Sequence, residues 1–229
     1  MEFDLTALRA VKNLLVPAGA KPREILAGLN KGVRIHLDLR SSFQTWVGLS
    51  ERELAPWFPR FSMDAVTAVD VGAAFGFYTA YFLRQPLLKR VFAFEPSPAC
   101  REALLANLEL NGWNASPRLV LSDHLIGAKD GQGTTTLDSL LPQIEFPCVV
   151  KVDIEGAEID ALRGAQALLS EPGVRWIFET HNPDCHRFVR EQLEKNHYCI
   201  HEIHRPWWRA LIPEMRPAAF KAWITAERA

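Results

Sequence analysis

Four carboxylates, one lysine and one histidine stand at or near the ends of apolar runs, and that placement is where chemistry would begin. Asp70 ends the run Ala65-Val66-Thr67-Ala68-Val69, and Glu95 ends Val91-Phe92-Ala93-Phe94. Lys151 and Asp153 lie in Cys148-Val149-Val150-Lys151-Val152-Asp153, and Glu179 and His181 follow Trp176-Ile177-Phe178. Short apolar runs rich in β-branched residues read as buried strands. Open α/β sheets bind ligands beyond the carboxyl ends of their strands, where an acidic residue can grip both hydroxyls of a ribose. Gly72 and Gly76 follow Asp70 in what reads as a tight turn before a helix, and glycine lets a ligand approach backbone where a side chain would collide. Asp70 and Glu95 therefore read together as a nucleoside-cofactor site.

The spacing narrows the cofactor. A phosphate-binding loop needs a glycine-rich run ending in Lys-Ser or Lys-Thr, and the sequence has none. The dinucleotide fingerprint needs Gly-x-Gly-x-x-Gly, whereas this turn offers only Gly72 and Gly76. Asp70, two residues before the first glycine, would repel a pyrophosphate but suits the cationic, phosphate-free S-adenosylmethionine. Two other readings stand beside this one. A nicotinamide-dependent oxidoreductase is disfavoured by the missing third glycine, and a non-catalytic interaction domain would keep the fold without turnover.

Val69 to Thr79 resembles the first motif of Rossmann-like S-adenosylmethionine-dependent methyltransferases, and of their FkbM-like branch in particular. Phe94-Glu95-Pro96-Ser97-Pro98, Thr136-Leu137-Asp138-Ser139-Leu140-Leu141 and Lys151-Val152-Asp153-Ile154-Glu155-Gly156-Ala157-Glu158 resemble further stretches of that branch, in the same order. The last is the most specific, and the resemblance covers roughly residues 30 to 205. It implies methyl transfer from a sulfonium to a hydroxyl oxygen of a small molecule such as a glycan, glycolipid or secondary metabolite. It carries Asp70, Gly72 and Gly76 to the methionine end of the cofactor, and Ala74, Tyr78 and Thr79 of the same motif to the cofactor site. Glu95 is carried to the ribose, the Ser122-Asp123 pair to the adenine end, and Asp153 to the pocket. Two departures are visible: Ala74 stands where the family usually has Asn, and the segment between Leu121 and Leu137 is short for the family.

Side chains alternate along a strand, so Lys151 and Asp153 share one face. A central parallel strand is normally apolar on both faces, and an unpaired buried charge is expensive. The two charges imply a polar cavity or an ion pair without chemistry. Glu179 and His181 would meet Asp153 above an adjacent strand. A base must take the acceptor's proton. His181, with an ordinary pKa of about 6.5, suits that task, and Asp153 is the rival. The candidate catalytic set is Asp153, His181, Glu179 and Lys151. Glu158, beside the helix start at Gly156-Ala157, reads as a helix-start residue, where negative charge is favoured. The histidines from His181 to His204 lack metal-ligand spacing, so no metal set is assigned; solvated or packed imidazoles are the expectation. The tail His204-Arg205-Pro206-Trp207-Trp208-Arg209 either stacks on a substrate or plugs a sheet edge.

These side chains need a scaffold, and strand and helix patterns alternate from Ala65 onward. Strands are expected over 65–70, 91–94, 118–122, 147–153, 174–180, 197–203 and 218–225. Helices are expected over 75–83 and 98–110, the second with Ser97 as N-cap and Pro98 in its first turn. That alternation implies a mainly parallel sheet covered on both faces. The fold expected is α/β: a Rossmann-like, seven-stranded, mostly parallel sheet sandwiched by helices, its last strand antiparallel as the resemblance implies. Residues 1–62 read as an N-terminal cap with a helix over 4–16, a strand over 33–39 and an aromatic segment over 41–61. Residues 63–229 read as the cofactor-binding domain. Lys129 to Thr134 reads as a mobile loop. With 229 residues, 48% hydrophobic and 23% charged, the chain matches one globular core. A net charge of −1 with no large basic block argues against nucleic acid as partner. No membrane-length apolar stretch, secretory leader or Cys-x-x-Cys pair is seen, so reduced, mostly buried thiols in the cytoplasm are expected.

Overall fold

The computed structural model describes residues 18–204, 206, 209 and 220–228. Strands β1 (Lys21–Glu24) and β2 (Arg34–Leu37) form an antiparallel pair. Helix α1 (Leu39–Trp46), a 3₁₀ turn (Arg52–Leu54) and helix α2 (Trp57–Ser62) complete the segment before the main sheet. There follow β3 (Thr67–Val71), α3 (Phe77–Arg84), β4 (Arg90–Phe94), α4 (Pro98–Glu109) and β5 (Leu119–Ser122). A small parallel pair, β6 (Leu125–Ile126) and β7 (Thr134–Thr135), precedes a 3₁₀ turn over Asp138–Gln143. The chain continues through β8 (Cys148–Val152), α5 (Glu158–Arg163), α6 (Gln166–Ser170), β9 (Val174–Thr180), α7 (Pro183–Lys195), β10 (Cys199–Ile203) and β11 (Ala222–Glu227).

Seven strands form one sheet in the order β10-β11-β9-β8-β3-β4-β5. Only β11 runs against its neighbours, as expected of the last strand. The order reverses at β3, which has β4 on one side and β8 on the other, so the crevice above the carboxyl ends of β3, β4 and β8 is a topological switch point. One core layer, built on Ala68, Val149, Ile177 and Trp223, is covered by α3, by Leu104 and Leu108 of α4 and by Ile35, Phe58 and Phe61 of the N-terminal segment. The other layer, built on Val69, Val150 and Phe178, is covered by α5, α6 and α7.

Local choices agree with this arrangement. The Ser97 side chain accepts from the Cys100 N–H and Pro98 begins α4, as the sequence suggested. Asn107 of α4, almost wholly buried, accepts from the His36 N–H at 2.7 Å and donates to the Phe75 carbonyl at 2.8 Å. One side chain thus ties β2, α4 and the turn after β3 together.

Several expectations need correction. The loop at Lys129–Thr134 is tied down: Asp130 accepts from the Thr136 N–H at 2.8 Å and from the Ser139 hydroxyl at 2.9 Å. The aromatic segment mostly packs, with Phe58 and Phe61 fully buried, while Phe43 is exposed. Of the four free cysteines, Cys148 and Cys185 are buried, but Cys199 is exposed and Cys100 half-buried. Arg209 of the tail is fully buried against the N-terminal segment, where it donates to both oxygens of Glu53 at 2.7 and 2.8 Å. The helix expected over 4–16, and Arg205, Trp207 and Trp208, lie outside the described residues. No helix among the described residues is long and apolar enough to cross a membrane.

Candidate active site

Register explains why the polar groups gather. Asp70 and Lys151 are cross-strand partners, so their side chains leave the sheet on one face. Asp153 follows Lys151 by two residues, and Glu179 follows its partner Ile177 by two. Alternation therefore puts all four on the face beneath α3, at the carboxyl ends of three adjacent strands. His181, two residues beyond Glu179, joins them.

The contacts form one network. Lys151, buried between strands, donates to Asp153 Oδ2 at 2.8 Å, and its ammonium lies 4.3 Å from the centre of the Tyr78 ring. Burial alone would weaken this ammonium, but Asp153, Asp70 and Glu51 outweigh it and hold its pKa above the ordinary value. Asp70 accepts from the Thr79 hydroxyl at 2.6 Å, while its Oδ1 is buried without a partner. Burial raises the Asp70 carboxyl above the usual range, against the pull of Lys151.

His181 sits among three carboxylates. Its Nδ1 lies 2.6 Å from Glu158 Oε1, and its Nε2 lies 3.5 Å from Asp153 Oδ1 and 3.4 Å from Glu179 Oε1. Burial would lower its pKa, but the bonds to Glu158 and Glu179 and the charge of Asp153 reverse that and raise it to about 10. The surroundings of His181 thus favour its protonated form, in contrast to the neutral imidazole expected of a base. Glu179 is the complement. Burial would raise it, yet the His181 bond and the charges of Lys221 and Lys151 hold it at about 2. Lys221 reaches Glu179 Oε1 at 2.8 Å, and the Trp223 indole N–H donates to Glu179 Oε2 at 3.2 Å.

Three members of the network were not placed in the site from the sequence. Glu158 opens α5 but has no exposed surface, and it holds the imidazole in place. Lys221 precedes β11, and only strand pairing brings it to Glu179. Glu51 has a left-handed backbone (φ 46°), accepts from the Tyr78 hydroxyl and lies 3.4 Å from Lys221. Burial, and then the charge of Glu179, push its carboxyl up to about 7. The aromatic segment over 41–61 ahead of the sheet was the only sequence signal for Glu51, and nothing local marked Lys221.

The nucleoside half of the site is built on the turn after β3. The Gly72 and Ala73 N–H groups both donate to the Phe94 carbonyl at 3.0 Å, which draws the turn onto the end of β4. Glu95 Oε2 accepts from the Ala74 N–H at 2.8 Å, and Oε1 accepts from the Ser97 N–H at 2.9 Å. The carboxylate therefore points toward the glycine turn. Gly72 (φ 82°) could carry no side chain, because a Cβ would overlap the Asp153 carbonyl oxygen. Gly76 (φ 85°) packs against Leu104 of α4. Ala74 takes a left-handed φ of 47°, a conformation that Asn tolerates better than Ala.

Other candidates fall away from direct contact. Asp70 and Thr79 have no exposed surface, so in this state they support the site from below instead of facing a ligand. Tyr78 is buried, with one ring face stacked on Phe58 at 4.5 Å and Lys151 4.3 Å from its ring centre. Ser122 ends β5, and Asp123 after it is exposed and 3.3 Å from His124 Nδ1. Among the histidines beyond His181, His201 packs against Trp57.

Comparisons with known proteins agree with this geometry. No curated protein matches the chain. Among solved structures, the methyltransferase FkbM from Methylobacillus flagellatus KT is 20% identical with a TM-score of 0.48; the match covers 71% of this chain, which spans 44% of that chain's length. An rRNA methylase from Streptococcus thermophilus is 14% identical with a TM-score of 0.54, over 78% of this chain and 97% of that one. TYW2 from M. jannaschii, solved in complex with AdoMet, is 14% identical with a TM-score of 0.52, over 93% of this chain and 88% of that one. The last two show the fold. The family model described as the methyltransferase FkbM domain matches residues 70–200, more than half of the sequence. This chain belongs to the FkbM methyltransferase domain family.

Proposed function

We propose that this protein transfers a methyl group from S-adenosylmethionine to a hydroxyl oxygen of a small molecule of the glycan, glycolipid or secondary-metabolite class. One observation carries the reading: the Glu95 carboxylate held on the Ala74 N–H at the glycine turn, on the same sheet end as the Lys151–Asp153 pair. Each Glu95 oxygen accepts one N–H and keeps a lone pair, so the group can still receive both hydroxyls of a ribose. Asp153, Glu158 and Glu179 lie against Lys151, His181 and Lys221 at the strand ends, a carboxylate-rich lining that suits a sulfonium cation. The family match and the AdoMet bound in the M. jannaschii relative support the same cofactor.

When bound, S-adenosylmethionine supplies an electrophilic methyl group. The chain's own work is positioning and proton handling. Gly72, Ala74 and Gly76 shape the turn, and Asp70, Tyr78 and Thr79 hold it from beneath. Glu95 grips the ribose, and Ser122 and Asp123 flank the adenine. Holding the acceptor in line contributes up to about 7–11 kcal/mol in good cases, and proton acceptance roughly 10²–10⁴-fold. Asp153 is assigned the proton of the acceptor hydroxyl, because at 26% exposure its side chain is the most open carboxylate of the inner cluster. His181, as a cation, donates to the acceptor oxygen; Lys151 and Glu179 fix Asp153 and His181. Residues 1–62 cap the substrate side, and residues 63–229 carry the transfer domain. The near-neutral charge favours a small acceptor over a polyanion, and the free cysteines suit the cytoplasm.

The test is calorimetric titration of the purified protein with S-adenosylhomocysteine, followed by transfer from methyl-labelled cofactor to a panel of hydroxylated glycans and polyols. Micromolar binding and label on oxygen are expected. Thermal stabilisation by NADH without response to S-adenosylhomocysteine would overturn the reading.

A further inference from the structure

Beyond methyl transfer, we infer that Asp153, Glu179 and His181 form a binding site for one divalent cation of the Mn²⁺ class, held through one imidazole nitrogen and two carboxylate oxygens. The donor atoms come from the tips of two adjacent parallel strands, and all lie within 4.8 Å of one another. His181 Nε2 is 3.5 Å from Asp153 Oδ1 and 3.4 Å from Glu179 Oε1. An ion about 2.1 Å from each donor spaces its ligands roughly 3.0–3.5 Å apart, so these atoms are close to ligand positions.

The surroundings point the same way. Metal-ligating imidazoles ordinarily give their other ring nitrogen to a carboxylate, which fixes tautomer and orientation. Glu158 stands in that place, 2.6 Å from Nδ1, with no exposed surface. Its second oxygen, Oε2, is buried without a hydrogen-bond partner. Fully buried behind the ring, with the Cys185 thiol beside it, Glu158 can hold the imidazole with Nε2 turned to the two carboxylates. Lys151 occupies Asp153 Oδ2 at 2.8 Å and leaves Oδ1 to face His181, while Lys221 lies 2.8 Å from Glu179 Oε1, so an ion takes the place of the His181 proton and shares Glu179 with Lys221. Asp153 retains exposed surface, which leaves coordination positions open to water or to an acceptor hydroxyl. Mixed carboxylate and imidazole donors suit Mn²⁺. The site was not visible among the histidines of the sequence, because it takes only one of them.

The experiment titrates Mn²⁺ into the purified protein and follows the free ion by electron paramagnetic resonance. One equivalent bound is expected, with affinity reduced at least tenfold in Asp153→Asn and His181→Gln and unchanged in the surface variant Asp130→Asn. Electron spin-echo modulation on the unmodified protein covers the case in which a variant fails to fold: coupling to one imidazole nitrogen is expected. Bound Mn²⁺ without nitrogen coupling, or no uptake at millimolar ion, overturns the site. The inference does not rest on methyl transfer, and S-adenosylhomocysteine calorimetry separates the two. Nitrogen-coupled Mn²⁺ without cofactor binding keeps the metal site and removes the methyl-transfer reading; cofactor binding without Mn²⁺ does the reverse.

Discussion

The His181 imidazole lies 2.6 Å from a Glu158 carboxylate that has no exposed surface, although the two residues come from different strand-to-helix connections. That contact turns a histidine of ordinary type into a cation and joins α5 to the tip of β9.

The consequence for stability has a definite sign. The folded-state pKa of His181 is raised, from 6.5 to about 10, so its stabilising contribution is complete below pH 6.5 and is lost as pH rises through 10. Denaturant unfolding at pH 6, 8 and 10 should show the wild type losing about 2–4 kcal/mol across that window, for a side chain that keeps some contact with water. His181→Gln should be less stable at pH 6 and lose less over the same range, the remainder coming from Glu51, whose carboxyl is raised to about 7.

Lys151 is a buried ammonium flanked by Asp70 and Asp153. Lys151→Met should cost about 3–5 kcal/mol, because breaking a buried ion pair leaves charge uncompensated. Adding Asp70→Asn should recover part of the loss, since Asp70 is the carboxylate with no exposed surface and an unpartnered oxygen. Urea unfolding of the two single variants and the double variant measures the coupling.

Glu95→Ala removes two backbone N–H acceptors and the proposed ribose ligand together. A charged hydrogen bond is worth about 1.5–3 kcal/mol, so S-adenosylhomocysteine affinity should fall at least tenfold, with some loss of stability from the turn. Calorimetry paired with thermal unfolding reads both. Unchanged affinity would remove Glu95 from the site.

The glycine turn makes opposite predictions at two neighbouring positions. Gly72→Ala forces a methyl into the Asp153 carbonyl and should destabilise by more than about 2 kcal/mol while abolishing cofactor binding. Ala74→Gly relieves a left-handed alanine and should stabilise by about 0.5–1 kcal/mol. Melting temperatures of the two variants should move in opposite directions.

Much of the fold was legible because its signals are local. Apolar runs ending in Asp70, Glu95 and Asp153 marked strands, Ser97-Pro98 marked a helix start, and the alternation of the two implied a parallel sheet. The pair β1–β2 was only half visible, since the polar residues of β1 carry no alternation and their pairing depends on a partner strand. Within the site, alternation alone placed Lys151 and Asp153 on one face. The sequence by itself thus determined the scaffold, the family and the identity of most polar groups at the strand ends. Tertiary structure decided their chemistry. Whether Glu158 caps a helix or holds an imidazole, whether His181 is a base or a cation, and whether Lys221 and Glu51 belong to the site depend on distances between residues remote in the chain. Burial and charge act through space, and a pKa or an ion site depends on what surrounds a side chain after the strands have come together.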